Sequence, residues 1–250
     1  PDVITLTHDP EYLQRLEHQE LDRKEQRKTG FPLSPELVHR EKIISQGTID
    51  CCAYALEYGA AMNVAGGTHH AYFAHGEGFC LLNDIVVSSN ALLKAGKIRK
   101  VLVVDLDVHQ GNGTARLTEQ DDRIFTFSMH GANNYPMHKE TSNLDIPLPD
   151  GTDDAFYLTT LKRELPALLD REMPDLIHFQ SGVDVLASDK LGRLGLSLEG
   201  CKERDRFVLS ECKRHDIPVV CTMGGGYSED LSIILEAHAN TYRLVQEIFF

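Results

Sequence analysis

Short runs of apolar residues recur along the chain, and each one ends in a polar or glycine-rich loop. Four of the runs are rich in β-branched residues, and a fifth is shorter and less apolar. In chain order they occupy positions 62–64 (the short run), 101–104, 124–127, 176–179 and 218–223. Runs without a polar–apolar alternation are typical of strands that are covered on both faces. The pattern therefore predicts five buried strands.

Segments with apolar residues at helical spacing lie between these runs. The predicted helices cover residues 83–94, 154–170, 197–215 and 228–250. Gly96 is a plausible stop for the first helix, and Pro166 is a potential break in the second. The charge-dense residues 17–42 are predicted to be a polar helix end followed by a surface loop. Because strands that alternate with helices form parallel sheets covered on both faces, we predict one α/β domain over residues 1–250.

Composition and charge restrict the class of protein. The 250 residues carry a formal net charge of −13, which would repel a polyanion on average and attract cationic substrates. None of the six cysteines forms a C-x-x-C pair, so we expect reduced thiols in a cytoplasmic protein. No apolar run approaches the ~18 residues that are needed to cross a bilayer. We therefore expect neither a membrane span nor direct contact with nucleic acid.

Unusual polar residues follow four of the five predicted strands. His69 and His70 come after the first run, and an Asp-x-Asp-x-His segment comes after the second. Asp184 follows the fourth run, and the sequence Gly-Gly-Gly-Tyr follows the fifth. Ligands bind outside the carboxyl ends of the strands in open α/β sheets. We therefore expect these residues to meet at one edge of the sheet and to form a site.

The segment Asp105-Leu-Asp107-Val-His109 places three polar side chains on one side of an extended stretch. Buried carboxylates are costly unless a positive charge compensates them, and a divalent metal does so. Asp107, His109 and Asp184 would supply three protein ligands and leave a position open for water, as in catalytic zinc sites. Spacing alone leaves Asp105 an equal candidate ligand. The alternative interpretation is a hydrogen-bonded Asp–His loop without a metal.

Tandem histidines and a glycine-rich turn offer further candidate chemistry. His69 and His70 are metal ligands, acid–base groups or a chance pair, and acid–base groups beside a metal would complete a hydrolytic site. Tyr227 would either aim its hydroxyl at a developing oxyanion or simply begin a helix after the turn. Among the other histidines, His8 and His238 are expected at the surface.

Five motifs resemble those of the zinc-dependent histone deacetylase superfamily, and they occur in the family's order. They are Gly66-Gly-Thr-His-His-Ala71, Gly78-Phe-Cys80, Asp105-Leu-Asp-Val-His-Gln-Gly-Asn-Gly113, Gly182-Val-Asp184 and Gly224-Gly-Gly-Tyr227. The Gln-Gly-Asn-Gly variant is most similar to the class IV branch and its bacterial relatives. The resemblance implies an arginase-like α/β fold, with helices on both faces of a mostly parallel sheet of about eight strands.

The resemblance implies a role for each matched residue. The residues that match the ligands of one zinc ion are Asp107, His109 and Asp184. The residues that match catalytic groups are His69, His70, Asp105, Asn112 and Tyr227. In the implied mechanism His70 accepts a proton from water, and His69 delivers a proton to the leaving amine. Tyr227 polarises the substrate carbonyl and stabilises the oxyanion.

Two further sets of residues are implied by the same resemblance. The residues that match the walls of an acyl-lysine tunnel are Gly78, Phe79, Tyr135, Leu191, Gly225 and Gly226. A potassium ion is expected beside the zinc loop as a structural ion. Its expected ligands, several of them through backbone oxygens, are Asp105, Asp107, His109, Ser128 and Met129.

The chain departs from the family at two places. Asn112 stands where most members have an aspartate behind the second histidine. Because an amide orients an imidazole without stabilising its charged form as a carboxylate does, we expect a lower pKa for His70. The family also has a strand and a helix before the segment that resembles residues 4–13, and we expect this chain to lack them.

The predicted function is that of a zinc-dependent amidohydrolase that removes acyl groups from acylated amines, most simply from an acylated lysine peptide. A small-molecule amidohydrolase that acts on a substrate such as an acetylpolyamine is the first alternative. A non-catalytic protein that binds acyl-lysine is the second. A two-metal ureohydrolase is disfavoured because Gly111 and Leu186 stand where it needs further carboxylates. The acyl chain and the oligomeric state are not predicted.

Overall fold

The computed structural model of the protein describes residues 3–250 and contains one six-stranded sheet in which every pair of neighbouring strands is parallel. The strands are β1 (Ala60–Asn63), β2 (Val101–Asp105), β3 (Ile124–Gly131), β4 (Leu144–Leu148), β5 (Leu176–Gln180) and β6 (Val219–Thr222). Their order across the sheet is β1-β6-β5-β2-β3-β4. The predicted parallel sheet is confirmed, and all five predicted strands form to within a few residues.

Eight α-helices and one short 3-10 helix accompany the strands in the described part of the chain. They are the 3-10 helix Ile4–Leu6 and helices α1 (Pro10–Glu17), α2 (Arg23–Thr29), α3 (Pro35–Tyr58), α4 (Asp84–Lys94), α5 (Asn112–Thr118), α6 (Asp154–Glu172), α7 (Leu198–Arg214) and α8 (Leu231–Phe249). None of them is both long and apolar enough to cross a membrane. The four predicted helices are confirmed, and α6 continues through Pro166.

Helices cover both faces of the sheet, as predicted. Alternate residues of β2 point to opposite faces. Leu102 and Val104 belong to an apolar cluster with residues of α6, α7 and α8. Val101 and Val103 belong to a second cluster, with residues of α3 and α4. The central strand is therefore buried on both sides, which explains its continuous apolar run.

The structure differs from the prediction in the number of strands, and it contains several elements that the sequence pattern did not predict. The described residues form six strands and not about eight, because that number came from the resemblance and not from runs in this chain. The sequence pattern also missed β4, an edge strand whose five residues include Asp145 and Pro147. Helix α3 was missed because its buried side includes the polar residues Glu41, Ser45 and Thr48, which hide the apolar stripe.

The segment before α1 is held by a buried histidine, so the expectation that His8 lies at the surface is wrong. The ring Nδ1 of His8 donates to the backbone oxygen of Tyr72, and its Nε2 accepts from the backbone N–H of Asn83, both at 2.9 Å. These two bonds require the neutral ring with its proton on Nδ1. Burial lowers the pKa of His8 to about 4. His238, also expected at the surface, is buried as well.

The register of the sheet brings the loops that follow its strands to one edge. Asp105, the last residue of β2, lies opposite Ser128 of β3 and Gln180 of β5. Gln180 in turn lies opposite Thr222, the last residue of β6. Because all the strands run in the same direction, the segments after β1, β2, β5 and β6 open on the same side of the molecule.

Candidate active site

Three side chains from two of these loops form a buried cluster that could hold a metal. The candidate ligand atoms of Asp107, His109 and Asp184 all lie within 4.8 Å of one another. Nδ1 of His109 lies 3.1 Å from an oxygen of Asp107 and 3.1 Å from an oxygen of Asp184. Among the described residues this is the one such group of three found. The structure thus brings together the three predicted ligands, and Asp105 is turned away to a histidine.

The charge balance of this cluster favours a bound cation. Burial, together with the nearby Asp107 carboxylate, raises the pKa of Asp184 to about 7. Burial alone would lower the pKa of His109, but the carboxylates of Asp107 and Asp184 raise it to about 10. Without a metal, the site therefore retains protons to offset its carboxylates. A divalent cation would replace them and meet one ring nitrogen and two carboxylate oxygens, a donor set that suits zinc.

Backbone and buried groups hold the two carboxylates in place. Asp184 accepts from the N–H of Val108 at 2.9 Å, and Asp107 accepts from the N–H of Gly225 at 2.8 Å. Behind them lies Arg204, a fully buried arginine of α7 that sequence analysis did not single out. These contacts fix the carboxylates before any ligand arrives.

Arg204 binds the backbone next to both carboxylates. Its guanidinium donates to the backbone oxygens of Leu106 at 3.1 Å, Gly182 at 2.6 Å and Ser181 at 3.2 Å. The same group pairs with the buried carboxylate of Asp205 at 2.7 Å. One charged side chain therefore links the first residues of the loop after β2 to the first residues of the loop after β5.

The tandem histidines lie beside this cluster, and their two rings differ in their partners. Nδ1 of His69 lies 2.8 Å from an oxygen of Asp105. Burial by itself would lower the pKa of His69, but the Asp105 carboxylate raises it to about 9. At neutral pH His69 is therefore protonated, and its Nε2 lies 4.0 Å from Asp107.

His70 is backed by an amide. Its Nδ1 lies 2.7 Å from Oδ1 of Asn112, and Nδ2 of Asn112 donates to Glu77 at 2.7 Å. Because the amide oxygen only accepts, Nδ1 of His70 carries the proton and Nε2 keeps a free lone pair. Burial and the neighbouring charge of His69 hold the pKa of His70 well below its usual value. His70 is thus a neutral base next to a protonated His69.

The loop that presents both histidines is anchored by a residue that sequence analysis missed. Asp84, in the first turn of α4, accepts from the N–H groups of Gly67 and Thr68 and from the hydroxyl of Thr48 at 2.6–3.1 Å. Gly67 has φ of +103°, a conformation that favours glycine. A β-carbon there would meet the Gln180 side chain at 2.3 Å, so glycine is required twice over.

Four of the six predicted tunnel residues line one cavity of about 410 Å³ that leads to the site. They are Gly78, Phe79, Tyr135 and Leu191, and His70, His109 and Tyr227 lie in the same cavity. The end of α2, predicted only as a polar helix end, supplies part of the wall. Its residues Lys28 and Thr29 accept backbone hydrogen bonds from Gly78 and Phe79 at 3.1 and 2.9 Å.

The other two predicted tunnel residues lie elsewhere. Gly225 lines a second cavity of about 580 Å³, which reaches His70, His109 and Tyr227 from another side. Gly226 packs close to Val183, where a β-carbon would approach to 2.7 Å. The Tyr227 ring stands edge-on to His109, with centroids 6.2 Å apart, and Tyr227 lines both cavities.

The five residues expected around a potassium ion are buried and adjacent. Asp105 and Ser128 are partners in the β2–β3 register, and Met129 is the next residue of β3. Asp107 and His109 continue the chain beyond β2. The hydroxyl of Ser128 lies 2.9 Å from Nδ1 of His130.

Known proteins show similarity over most of the chain. A family model described as the histone deacetylase domain matches residues 1–242. An uncharacterized protein of Picosynechococcus sp. is 40% identical over 246 residues, which are 98% of this chain and 82% of that protein. Histone deacetylase B of Dictyostelium discoideum is 35% identical over 79% of this chain. Histone deacetylase 2 of Arabidopsis thaliana is 31% identical over 76% of it.

The match to these two histone deacetylases covers about half of their own length, 49% and 50%. A crystal structure of an HDAC homolog complexed with SAHA has the same fold, with a TM-score of 0.82 and 24% identity. It covers 98% of this chain and 69% of that one. Since the family model extends over nearly the whole sequence, the chain belongs to the histone deacetylase family.

Proposed function

We propose that the protein is a zinc-dependent amidohydrolase that removes acyl groups from acylated lysine side chains. The proposal rests mainly on one observation. A buried cluster of two carboxylates and an imidazole lies beside two histidines, one backed by a carboxylate and the other by an amide, and a cavity lined by Phe79 and Tyr135 reaches this site. Membership of the histone deacetylase family supports the same class of reaction.

Asp107, His109 and Asp184 would hold the zinc ion. Bound there, zinc would act as a Lewis acid on the amide carbonyl and would lower the pKa of a water molecule at the site. The potassium ion remains a proposal, supported by the adjacency of Asp105 and Ser128 at the ends of paired strands. A cytoplasmic location is likewise proposed, and it is supported by six cysteines that are all free.

The protein's own groups would move the protons. His70 would accept the proton of the attacking water at Nε2, which is free because Nδ1 donates to Asn112. His69, which Asp105 keeps protonated, would deliver a proton to the leaving amine. The Tyr227 hydroxyl would donate to the oxyanion as it forms. Acid–base catalysis of this kind contributes about 10²–10⁴-fold to a rate.

The net charge of −13 suits a cationic substrate, which includes a lysine-rich peptide and also a small polyamine. The protein, purified with zinc, should therefore be assayed on an acetyl-lysine peptide, a myristoyl-lysine peptide and an acetylated polyamine. We expect hydrolysis of a lysine peptide that stops when a chelator removes the metal and returns with added zinc. Hydrolysis of the polyamine alone would favour the small-molecule alternative. Binding of all three without any hydrolysis would favour the non-catalytic alternative.

A further inference from the structure

We propose that Glu77 is a positioning residue that acts on His70 through Asn112. The His70–Asn112 dyad has an amide where a carboxylate would stabilise the charged ring, and Glu77 supplies that carboxylate from behind the amide. The inference rests on the proposed function, since it concerns the group that would accept the proton of water. From the sequence, Asn112 is expected only as the amide behind His70. In the structure it is the middle of a chain of three side chains.

The three groups are joined by two short hydrogen bonds that run in the same direction. His70 donates from Nδ1 to the oxygen of Asn112 at 2.7 Å, and Asn112 donates from Nδ2 to Oε1 of Glu77 at 2.7 Å. Each acceptor therefore passes electron density back to the group that donates to it, from Glu77 to Asn112 and from Asn112 to His70. Bonds aligned in this way strengthen one another by about 10–30% each. The carboxylate thereby makes the amide oxygen a better acceptor for the proton on His70.

Glu77 is held in the ionised state that this role requires. Its side chain is 7% exposed, and Nζ of Lys28 lies 2.6 Å from its second oxygen, Oε2. The hydroxyl of Tyr135 donates to Oε1 at 2.6 Å, and Nε2 of His75 lies 3.6 Å from Oε2. Burial by itself would raise the pKa of Glu77, but these contacts and the bond from Asn112 hold it well below its usual value.

The position of the counter-charge also matters. Lys28 is half-exposed and contacts the oxygen of Glu77 that faces away from Asn112. Water screens the charge of Lys28 more strongly than it screens the negative charge on Oε1 of Glu77, the oxygen that accepts from Asn112. The positive charge that develops when His70 accepts a proton would therefore face the negative side of the Glu77–Lys28 ion pair. His69 has the same support directly, from Asp105 at 2.8 Å.

An exchange of the two groups tests the inference. Glu77→Gln keeps the shape but removes the charge, and we expect kcat to fall by about 10-fold with KM changed by less than about 2-fold. The double variant with Asn112→Asp and Glu77→Gln restores one carboxylate and one amide in exchanged places. This double variant, the exchanged pair, should have a kcat within about 3-fold of the wild type. Asn112→Asp alone puts two carboxylates in contact, so its kcat should stay below that range.

Glu229→Gln is the control for the loss of one negative charge. The Glu229 carboxylate is largely exposed and pairs with Lys190 at 3.2 Å. Its kcat should stay within about 2-fold of the wild type, since any general effect of removing one negative charge appears here too. Thermal unfolding of every variant separates a lost charge from a lost fold. If Glu77→Gln does not fold, the exchanged pair still provides the test, because it must be folded and active.

A second readout needs no catalysis. In the zinc-loaded protein labelled with ¹⁵N-histidine, the Nδ1 proton resonance of His70, assigned by its loss in His70→Asn, should move upfield in Glu77→Gln and return in the exchanged pair. An unchanged kcat and an unmoved resonance in Glu77→Gln would overturn the inference. A loss of kcat that the exchanged pair does not restore would overturn it too. A wild type that hydrolyses no substrate, while the resonance still moves, would contradict the proposed function alone.

Discussion

Replacement of Arg204 tests how strongly the fold depends on one buried charge behind the candidate metal cluster. Arg204→Met keeps an unbranched chain but removes the guanidinium, which serves three backbone oxygens and the buried Asp205. The side chains of Arg204 and Asp205 are both fully buried, so water cannot take over either role. The variant therefore leaves a carboxylate and three carbonyl groups without their charged donor.

The expected magnitude follows from these contacts. Removal of one partner of a buried ion pair costs about 3–5 kcal/mol, because the other charge stays in the interior. Backbone oxygens that lose a buried donor add about 1–3 kcal/mol. We expect a loss of about 5 kcal/mol in the free energy of unfolding, which is large against the roughly 5–15 kcal/mol of a typical domain. Combining it with Asp205→Asn removes the stranded charge and should limit the loss to about 2 kcal/mol.

Urea denaturation in the presence of a chelator measures these losses without a contribution from bound metal. Arg206→Met is the matched control on the same helix. Arg206 is about one third exposed and pairs with Glu203 and Glu247, so we expect a change of less than about 1 kcal/mol. Arg204→Met within 1 kcal/mol of the wild type would refute the reasoning, and so would a double variant that is less stable than the single one.

Three further predictions concern the site and the stability of the fold. Tyr227→Phe should lower kcat by about 10²–10³-fold with a nearly unchanged KM in steady-state assays, and unchanged turnover would exclude its role on the oxyanion. Asp184→Asn should lose zinc together with activity, which metal analysis of the purified variant checks, and full zinc content would contradict the assignment. The pKa of His8 is lowered from 6.5 to about 4, so between these values the unfolded chain binds more protons than the folded one and stability falls as the pH falls. Urea denaturation at pH 7 and pH 5 should show this loss, and a His8 ring that titrates near pH 6.5 by NMR would contradict the burial argument.

The sequence pattern predicted the parts of the fold that depend on local periodicity. β2 and β5 are apolar at every position except their ends or a single histidine, so their runs stand out. The convergence of Asp107 and Asp184 could also be predicted, because parallel strands put successive carboxyl ends at one edge. Helix α3 could not be predicted, since its buried side carries polar groups whose partners lie far along the chain. Thr48, for example, donates to Asp84.

The residues of the site that the sequence did not predict were missed for the same reason, because their partners lie far along the chain. Glu77 is separated from Asn112 by 35 residues, and nothing in the local pattern marks it except its position just before Gly78. Arg204 lies in a charge-rich helix and resembles a surface residue until its three backbone partners are known. Such pairings depend on tertiary packing, whereas periodicity reports only which side of an element is buried. The resemblance supplied roles for matched positions and offered none for unmatched ones.

We propose that one zinc ion, held by Asp107, His109 and Asp184, makes this protein an amide hydrolase. The most direct measurement starts from metal-free protein and follows the release of acetate from an acetyl-lysine peptide as zinc is added in substoichiometric steps. We expect no release without metal and a rate that rises linearly to a plateau at one zinc per chain. Hydrolysis by the metal-free protein, or none at full zinc occupancy, would contradict the claim.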